Sequence, residues 1–129
     1  MKLNVKPSLV VSIPKRSYPI FVGVDIFENV DYSQFFIGNK ALIVTDDHIA
    51  LILLDRVTKT LCKFADVDFL ILKSGETSKN MESLSRIHSK LIENTFDRSS
   101  TLIALGGGVI GDITGFAAAT YQRGINYIQ

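Results

Sequence analysis

The apolar residues of this chain fall into short blocks, and their spacing alternates between that of a strand and that of a helix. Residues 8–13 (SLVVSI) are rich in β-branched side chains and bounded by Pro7 and Pro14. They predict a strand. Residues 18–24 predict a second, with Pro19 near its start as an edge position tolerates, and Lys15, Arg16 and Ser17 between the two at hairpin spacing. Residues 25–38 are mixed and turn-rich, with Phe27, Phe35 and Phe36 expected to cover a core.

From residue 40 onward the pattern is strand, helix, strand, helix. KALIVT (40–45) is apolar without alternation, which suits a parallel strand buried on both faces. Asp46 and Asp47 follow as natural caps for a helix over 48–64, whose stripe is Ile49, Ile52, Leu53, Val57, Leu61 and Phe64. DVDFLIL (66–72) predicts the next strand, and Met81, Leu84, Ile87, Leu91 and Ile92 a helical stripe ending near Asn94. TLIAL (101–105) predicts a third core strand. Gly106, Gly107 and Gly108 break it, and an apolar segment over 109–121 predicts a largely buried helix. The fold class is therefore α/β: a Rossmann-like parallel sheet with right-handed crossovers, preceded by a β-hairpin.

In such sheets ligands gather at the carboxyl ends of the strands. Three polar clusters lie there: Thr45-Asp46-Asp47-His48, then residues 74–79 (SGETSK), then the triple glycine. All three are expected to face one crevice. Strand, glycine turn and helix in that order make an anion site, because glycines let the backbone approach a phosphate and a helix N-terminus offers free N–H groups. Gly106, Gly108 and Gly111 satisfy G-x-G-x-x-G, but after a late strand, with no further strand expected to supply the usual ribose-binding acid. That disfavours an ordinary first-strand dehydrogenase. Asp112 reads equally as a first-turn acid complementing the helix dipole or as an acceptor for ligand hydroxyls. Glu76 and Lys79, three apart, read as a surface ion pair or as two groups reaching over one helical turn. Asp46 reads as a helix cap or a ribose acceptor.

Composition adds mostly exclusions. The chain has 129 residues, 47% hydrophobic and 21% charged, with a net charge of +1. That is one modest domain with no electrostatic signature of nucleic acid or anionic membrane. The single cysteine, Cys62, excludes an internal disulfide, fits a reducing, cytoplasmic compartment, and by its neighbours Leu61 and Phe64 is expected to be a buried helical thiol. The amino-terminal stretch does not have the form of a signal peptide, and no apolar run approaches a membrane span. His48 and His88 form no metal-ligand spacing with any neighbour, and His88 is expected at the edge of the core. The chain thus displays a cofactor cradle without visible catalytic machinery.

GGGVIGDITGFAAATYQRGINYIQ, with SGETSKN upstream and IVTDDH before it, resembles the amino-terminal domain of the dehydroquinate synthases, within the sugar-phosphate cyclase family. The similarity runs from Ser17 to Gln129. It implies NAD binding by Gly75, Glu76 and Lys79 of the earlier motif and by Gly107, Gly108, Val109, Gly111 and Asp112 of the later one, with Asp46 on the adenosine side. It implies for Arg123 a contact with the substrate phosphate of the neighbouring subunit in a homodimer, a task suited to a guanidinium. Ser74 stands where the family usually has Asp. The resemblance further implies that residues 1–129 are an NAD-binding domain cut short at its C-terminus. Substrate-binding lysines, asparagines and a helical second domain carrying a divalent metal (zinc or cobalt) would lie outside it. The activity implied for the whole is conversion of 3-deoxy-arabino-heptulosonate 7-phosphate to 3-dehydroquinate and phosphate in the shikimate pathway, with this chain alone inactive. Two alternatives stay open: another sugar-phosphate cyclase, such as a 2-deoxy-scyllo-inosose synthase, and a non-catalytic nucleotide-binding or partner-binding module that retains the fold.

Overall fold

A computed structural model describes residues 5–129. Residues 1–4, on which the signal-peptide expectation partly rests, lie outside the described residues. The described residues divide into two compact units, one up to Tyr32 and one from Ser33 onward. In the first, strands β1 (Leu9–Val11) and β2 (Tyr18–Ile20) pair antiparallel around the turn holding Lys15, with Val10 opposite Pro19. Both strands are shorter than the apolar blocks suggested.

The second unit is built on four parallel strands: β3 (Lys40–Asp46), β4 (Asp66–Leu72), β5 (Thr101–Leu105) and β6 (Asn126–Ile128). Their spatial order is β4-β3-β5-β6. β3 carries the unbroken apolar run and takes the central place, where Ala41, Leu42, Ile43 and Val44 are fully buried. The chain leaves β3 towards β4, returns across β3 to β5, and continues to β6. Connections therefore diverge at the carboxyl ends of β3 and β5, which is the switch point where such sheets open a ligand crevice.

Helices α3 (Met81–Glu93) and α4 (Gly108–Thr120) pack together on one face of the sheet. Their core joins Leu84, Ile87 and Leu91 to Ile110, Ile113 and Ala117 over Leu42, Val44, Leu72 and Leu102. The β3–β4 crossover runs as α1 (Asp47–Ile49), a π-helical stretch (Ala50–Leu54) and α2 (Asp55–Leu61). Right-handedness sends it to the opposite face, where Val57 and Leu61 are buried.

Four expectations need correction. A further strand does follow the glycine-rich helix: β6 pairs parallel with β5, Thr101 opposite Asn126. Its three residues carry no acid, and only pairing reveals so short a strand. The helix α4 is not buried all round, since Asp112, Phe116 and Ala119 are exposed along one flank. Cys62 is exposed rather than buried, because it caps the C-terminus of α2 and lies off the Val57–Leu61 stripe. The predicted stripe of the 48–64 helix holds only in part, since Ile52 is 72% exposed. Among the aromatics, Phe36 stacks on Phe64 with centroids 6.5 Å apart.

Candidate functional site

The carboxyl end of β5 leads through Gly106 and Gly107 into α4, with Gly107 as N-cap and no side chain to cap with. An α-helix leaves its first N–H groups without intrahelical acceptors, here those of Gly108, Val109 and Ile110. The first helical bond in sight is Gly111 N–H to the Gly107 carbonyl at 2.9 Å. The three consecutive glycines have different reasons. A Cβ on Gly106 would stand 3.0 Å from the Ile110 side chain, so the turn and helix are packed there. A Cβ on Gly107 or Gly108 would meet no atom within 4 Å. Neither glycine has a left-handed φ. The protein itself gives no reason for them, and the open space in front of the helix N-terminus does.

Gly111 lies one turn further in, buried, where a Cβ would come 2.6 Å from Nε2 of Gln129. Tyr127 of β6 donates its hydroxyl to the Gly111 carbonyl at 2.8 Å, and its ring lies 3.4 Å from a Cβ built on Gly115. Gly111 and Gly115 thus let β6 approach α4 closely. Burial raises the Tyr127 hydroxyl pKa above the ordinary phenol value, with the Asp112 charge adding to it.

The three strand-end clusters are stitched into one rim. Asp46 caps α1: its Oδ1 accepts from the N–H groups of His48 (3.0 Å) and Ile49 (2.9 Å). Its cap role is therefore real. Asp47, read from sequence only as another cap, instead crosses to the next cluster, where Ser74 N–H donates to its Oδ1 at 2.9 Å. The Ser74 side chain, and after it the Ser74 N–H, hold the Asp47 carboxyl below the ordinary range. At the other end Lys79 Nζ donates to Asp112 Oδ2 at 2.7 Å, joining residues 74–79 to α4. Both side chains keep much of their surface, 44% and 62% exposed, so this is a rim pair of small worth to stability. The bond to Asp112 raises the Lys79 pKa.

The expected places of three residues shift. Asp112 is in the second turn of α4, not the first, and pairs with Lys79 instead of facing the helix dipole. Glu76 opens a 3-10 turn (Glu76–Ser78) and Lys79 follows it, ahead of α3, whose N-cap is Asn80. Gly75 enters that turn at φ 103°, a conformation that favours glycine. Asp46, Gly75, Glu76, Lys79, Gly107, Gly108, Val109 and Asp112 therefore share the carboxyl end of the sheet. Arg123 does not. It follows α4, whose 13 residues put it roughly 20 Å from Gly108, and it is held with Gln122 at positive φ, 65° and 46°. A groove of about 460 Å³ runs from the Lys79–Asp112 pair between α3 and α4, with Met81, Leu84, Ile113 and Phe116 along it. Among the described residues no group of three His, Cys, Asp or Glu side chains stands ready for a metal ion. His88 sits at the core edge, with Nε2 3.0 Å from Thr120 Oγ1.

A family model described as 3-dehydroquinate synthase N-terminal matches residues 69–129, which contain both the 74–79 turn and the glycine cradle. The chain is similar to the amino-terminal domain of 3-dehydroquinate synthase. The 3-dehydroquinate synthase of Shewanella loihica is 48% identical over 120 residues, covering 92% of this chain and 34% of that protein. That of Hydrogenovibrio crunogenus is 44% identical over 123 residues, covering 95% and 34%. The chain spans about a third of the length of these relatives. Among solved structures, a 2-deoxy-scyllo-inosose synthase complexed with carbaglucose-6-phosphate, NAD+ and Co2+ superposes with a TM-score of 0.81 at 20% identity, over 92% of this chain and 33% of that one. A 2-epi-5-epi-valiolone synthase from Streptomyces hygroscopicus with NAD+ and Zn2+ bound gives 0.75 at 23%, over 92% and 33%. These two likenesses establish the shared fold.

Proposed function

We propose that this chain is the amino-terminal, NAD-binding domain of a 3-dehydroquinate synthase. The observation that carries the reading is the pair Gly107 and Gly108, which keep open a space that no protein atom occupies, at the N-terminus of a 13-residue helix. The relatives at 43–48% identity are 3-dehydroquinate synthases, and this favours that enzyme over the other cyclases, which share the fold at 20–23%.

In this reading the N–H groups of Gly108, Val109 and Ile110 hold the pyrophosphate of NAD, matched to it by the positive end of the helix dipole. Lys79 balances its charge, and Asp112, Glu76 and Asp46 accept from ribose hydroxyls. Gly111 acts through packing, by letting β6 close on α4. NAD would supply a hydride acceptor and donor for oxidising and restoring a ring hydroxyl. The residues of this chain orient it and keep one face of it at the carboxyl ends of β3 and β5. The residues present do not fit the divalent metal of the family, and no step here runs through one. We assign the metal to a second domain of the longer protein. Arg123, exposed and far from the cradle, is assigned to the phosphate of a substrate held by the other copy of a homodimer. The whole protein would be a cytoplasmic, phosphate-eliminating lyase acting on 3-deoxy-arabino-heptulosonate 7-phosphate. Among the described residues no helix is long and apolar enough to cross a membrane.

Calorimetric titration of the chain tests this. NAD and ADP-ribose should both bind, weakly, and Lys79→Ala should weaken both, while the chain alone should turn over no sugar phosphate. No heat from either ligand would favour a non-catalytic, partner-binding module instead.

A further inference from the structure

Residues 74–79 form a strap tied on each side by a carboxylate, Asp112 of α4 on one side and Asp47, just past the end of β3, on the other. On the α4 side the tie is Asp112 to Lys79, 2.7 Å. On the β3 side it is Asp47 Oδ1 accepting from the Ser74 N–H, 2.9 Å. Two adjacent acids divide the work at the end of β3. Asp46 satisfies the N–H groups that start α1, and Asp47 is left to reach sideways.

The strap's own bonds make its placement depend on that tie. Ser74 precedes Gly75, whose φ of 103° turns the chain, and the Gly75 carbonyl accepts from Ser78 N–H at 3.1 Å. Ser78 returns its hydroxyl to the Lys73 carbonyl, and Lys79 N–H bonds the Glu76 carbonyl at 3.1 Å. Residues 74–79 are thus a hydrogen-bonded turn, held at Ser74 by Asp47 and at Lys79 by Asp112. An anionic acceptor for a backbone N–H makes a stronger bond than a neutral one.

We infer that Asp47 is a positioning residue for the cradle: by holding Ser74 it sets where Glu76 and Lys79 stand over the carboxyl ends of β3 and β5. Asp47 acts through Ser74 and does not itself meet the ligand. The inference rests on the NAD reading above for its functional consequence, and on the Asp47–Ser74 contact for its structural one.

Two variants of the chain, Asp47→Ala and Asp47→Asn, compared by NAD calorimetry, thermal melting and amide hydrogen exchange, decide it. Asp47→Ala should weaken NAD about fivefold or more and speed exchange at Ser74 about tenfold, with little change in melting temperature. Asp47→Asn keeps an acceptor oxygen and should recover most of the affinity. If Asp47 only complements the α1 dipole, Asn and Ala will behave alike and Ser74 exchange will not move. That result overturns the inference. If the unmodified chain shows no NAD heat, the NAD reading fails by itself, and the exchange comparison still decides whether Asp47 holds the strap.

Discussion

Gly107 and Gly108 differ from every glycine that the fold itself explains. Gly75 needs its left-handed φ, Gly38 abuts Ser99, and Gly106 abuts Ile110. An alanine at 107 or 108 would project into open space from backbone that any residue adopts. Gly107→Ala and Gly108→Ala should therefore leave the urea-unfolding free energy within about 1 kcal/mol of the parent, while NAD affinity falls about tenfold or more as the methyl enters the phosphate's place. Unchanged affinity in both would remove the ground for the cradle. Gly75→Ala makes the opposite contrast, losing about 1–3 kcal/mol of stability to backbone strain. Three buried hydroxyls, of Thr45, Thr58 and Thr114, have no hydrogen-bond partner among the described residues. Replacing an unsatisfied hydroxyl by a methyl of the same shape relieves its desolvation, so Thr114→Val should raise the urea midpoint, by up to about 1 kcal/mol in unfolding free energy.

Among the elements, the β3–β4 crossover departs most from what periodicity predicts. Residues at steps of three and four from Ile49 to Phe64 describe one stripe on an uninterrupted α-helix. The π-helical stretch Ala50–Leu54 interrupts it. Bonds from i to i+5 insert an extra residue into the turn and rotate the residues on either side relative to each other. Ile52, within the sequence stripe, is left 72% exposed and its neighbour Leu51 88%, while Val57 and Leu61 remain buried. Leu51→Lys and Ile52→Lys should each change stability by less than about 0.5 kcal/mol, whereas Leu61→Ala should cost about 2–5 kcal/mol. Chemical denaturation of the three variants checks the phase of the helix directly; a large loss at Ile52 would mean that the stripe runs unbroken. In α3, Asn80 caps the helix as its Oδ1 accepts from Ser83 N–H, and Leu84, Ile87 and Leu91 of the expected stripe are buried, while its end members Met81 and Ile92 are 74% and 65% exposed.

For the molecule as a whole, acid is the exposed flank of its stability. Three carboxylates lie below their ordinary range. The Ser74 hydroxyl holds Asp47 down and the Ser99 hydroxyl Asp97; at Asp68 burial pushes upward, but bonds from Lys90 and the Phe69 N–H outweigh it. A carboxylate lowered on folding adds stability above its unfolded pKa of about 3.9, and loses it as pH falls through the folded value. Lys79, raised by Asp112, keeps its contribution until pH climbs past about 10. The urea midpoint should accordingly be flat from about pH 6 to 8 and fall below about pH 4, less steeply in Asp68→Asn. A decline beginning near neutrality would contradict that assignment. Much of this architecture was legible beforehand, because burial on both faces forces an unbroken apolar run on β3 and β5, and a helix against a sheet needs a 3.6-residue stripe. The strand order, the existence of β6 and the open flank of α4 were not legible, since they depend on which strands pair and what packs outside. At the site, the sequence by itself determined which residue types stand at the strand ends and that a glycine turn meets a helix N-terminus, because those are consequences of local order along the chain. The tertiary structure alone decided that Asp47 reaches Ser74 and Lys79 reaches Asp112, because residues 27 and 33 positions apart meet only when parallel strands align their carboxyl ends.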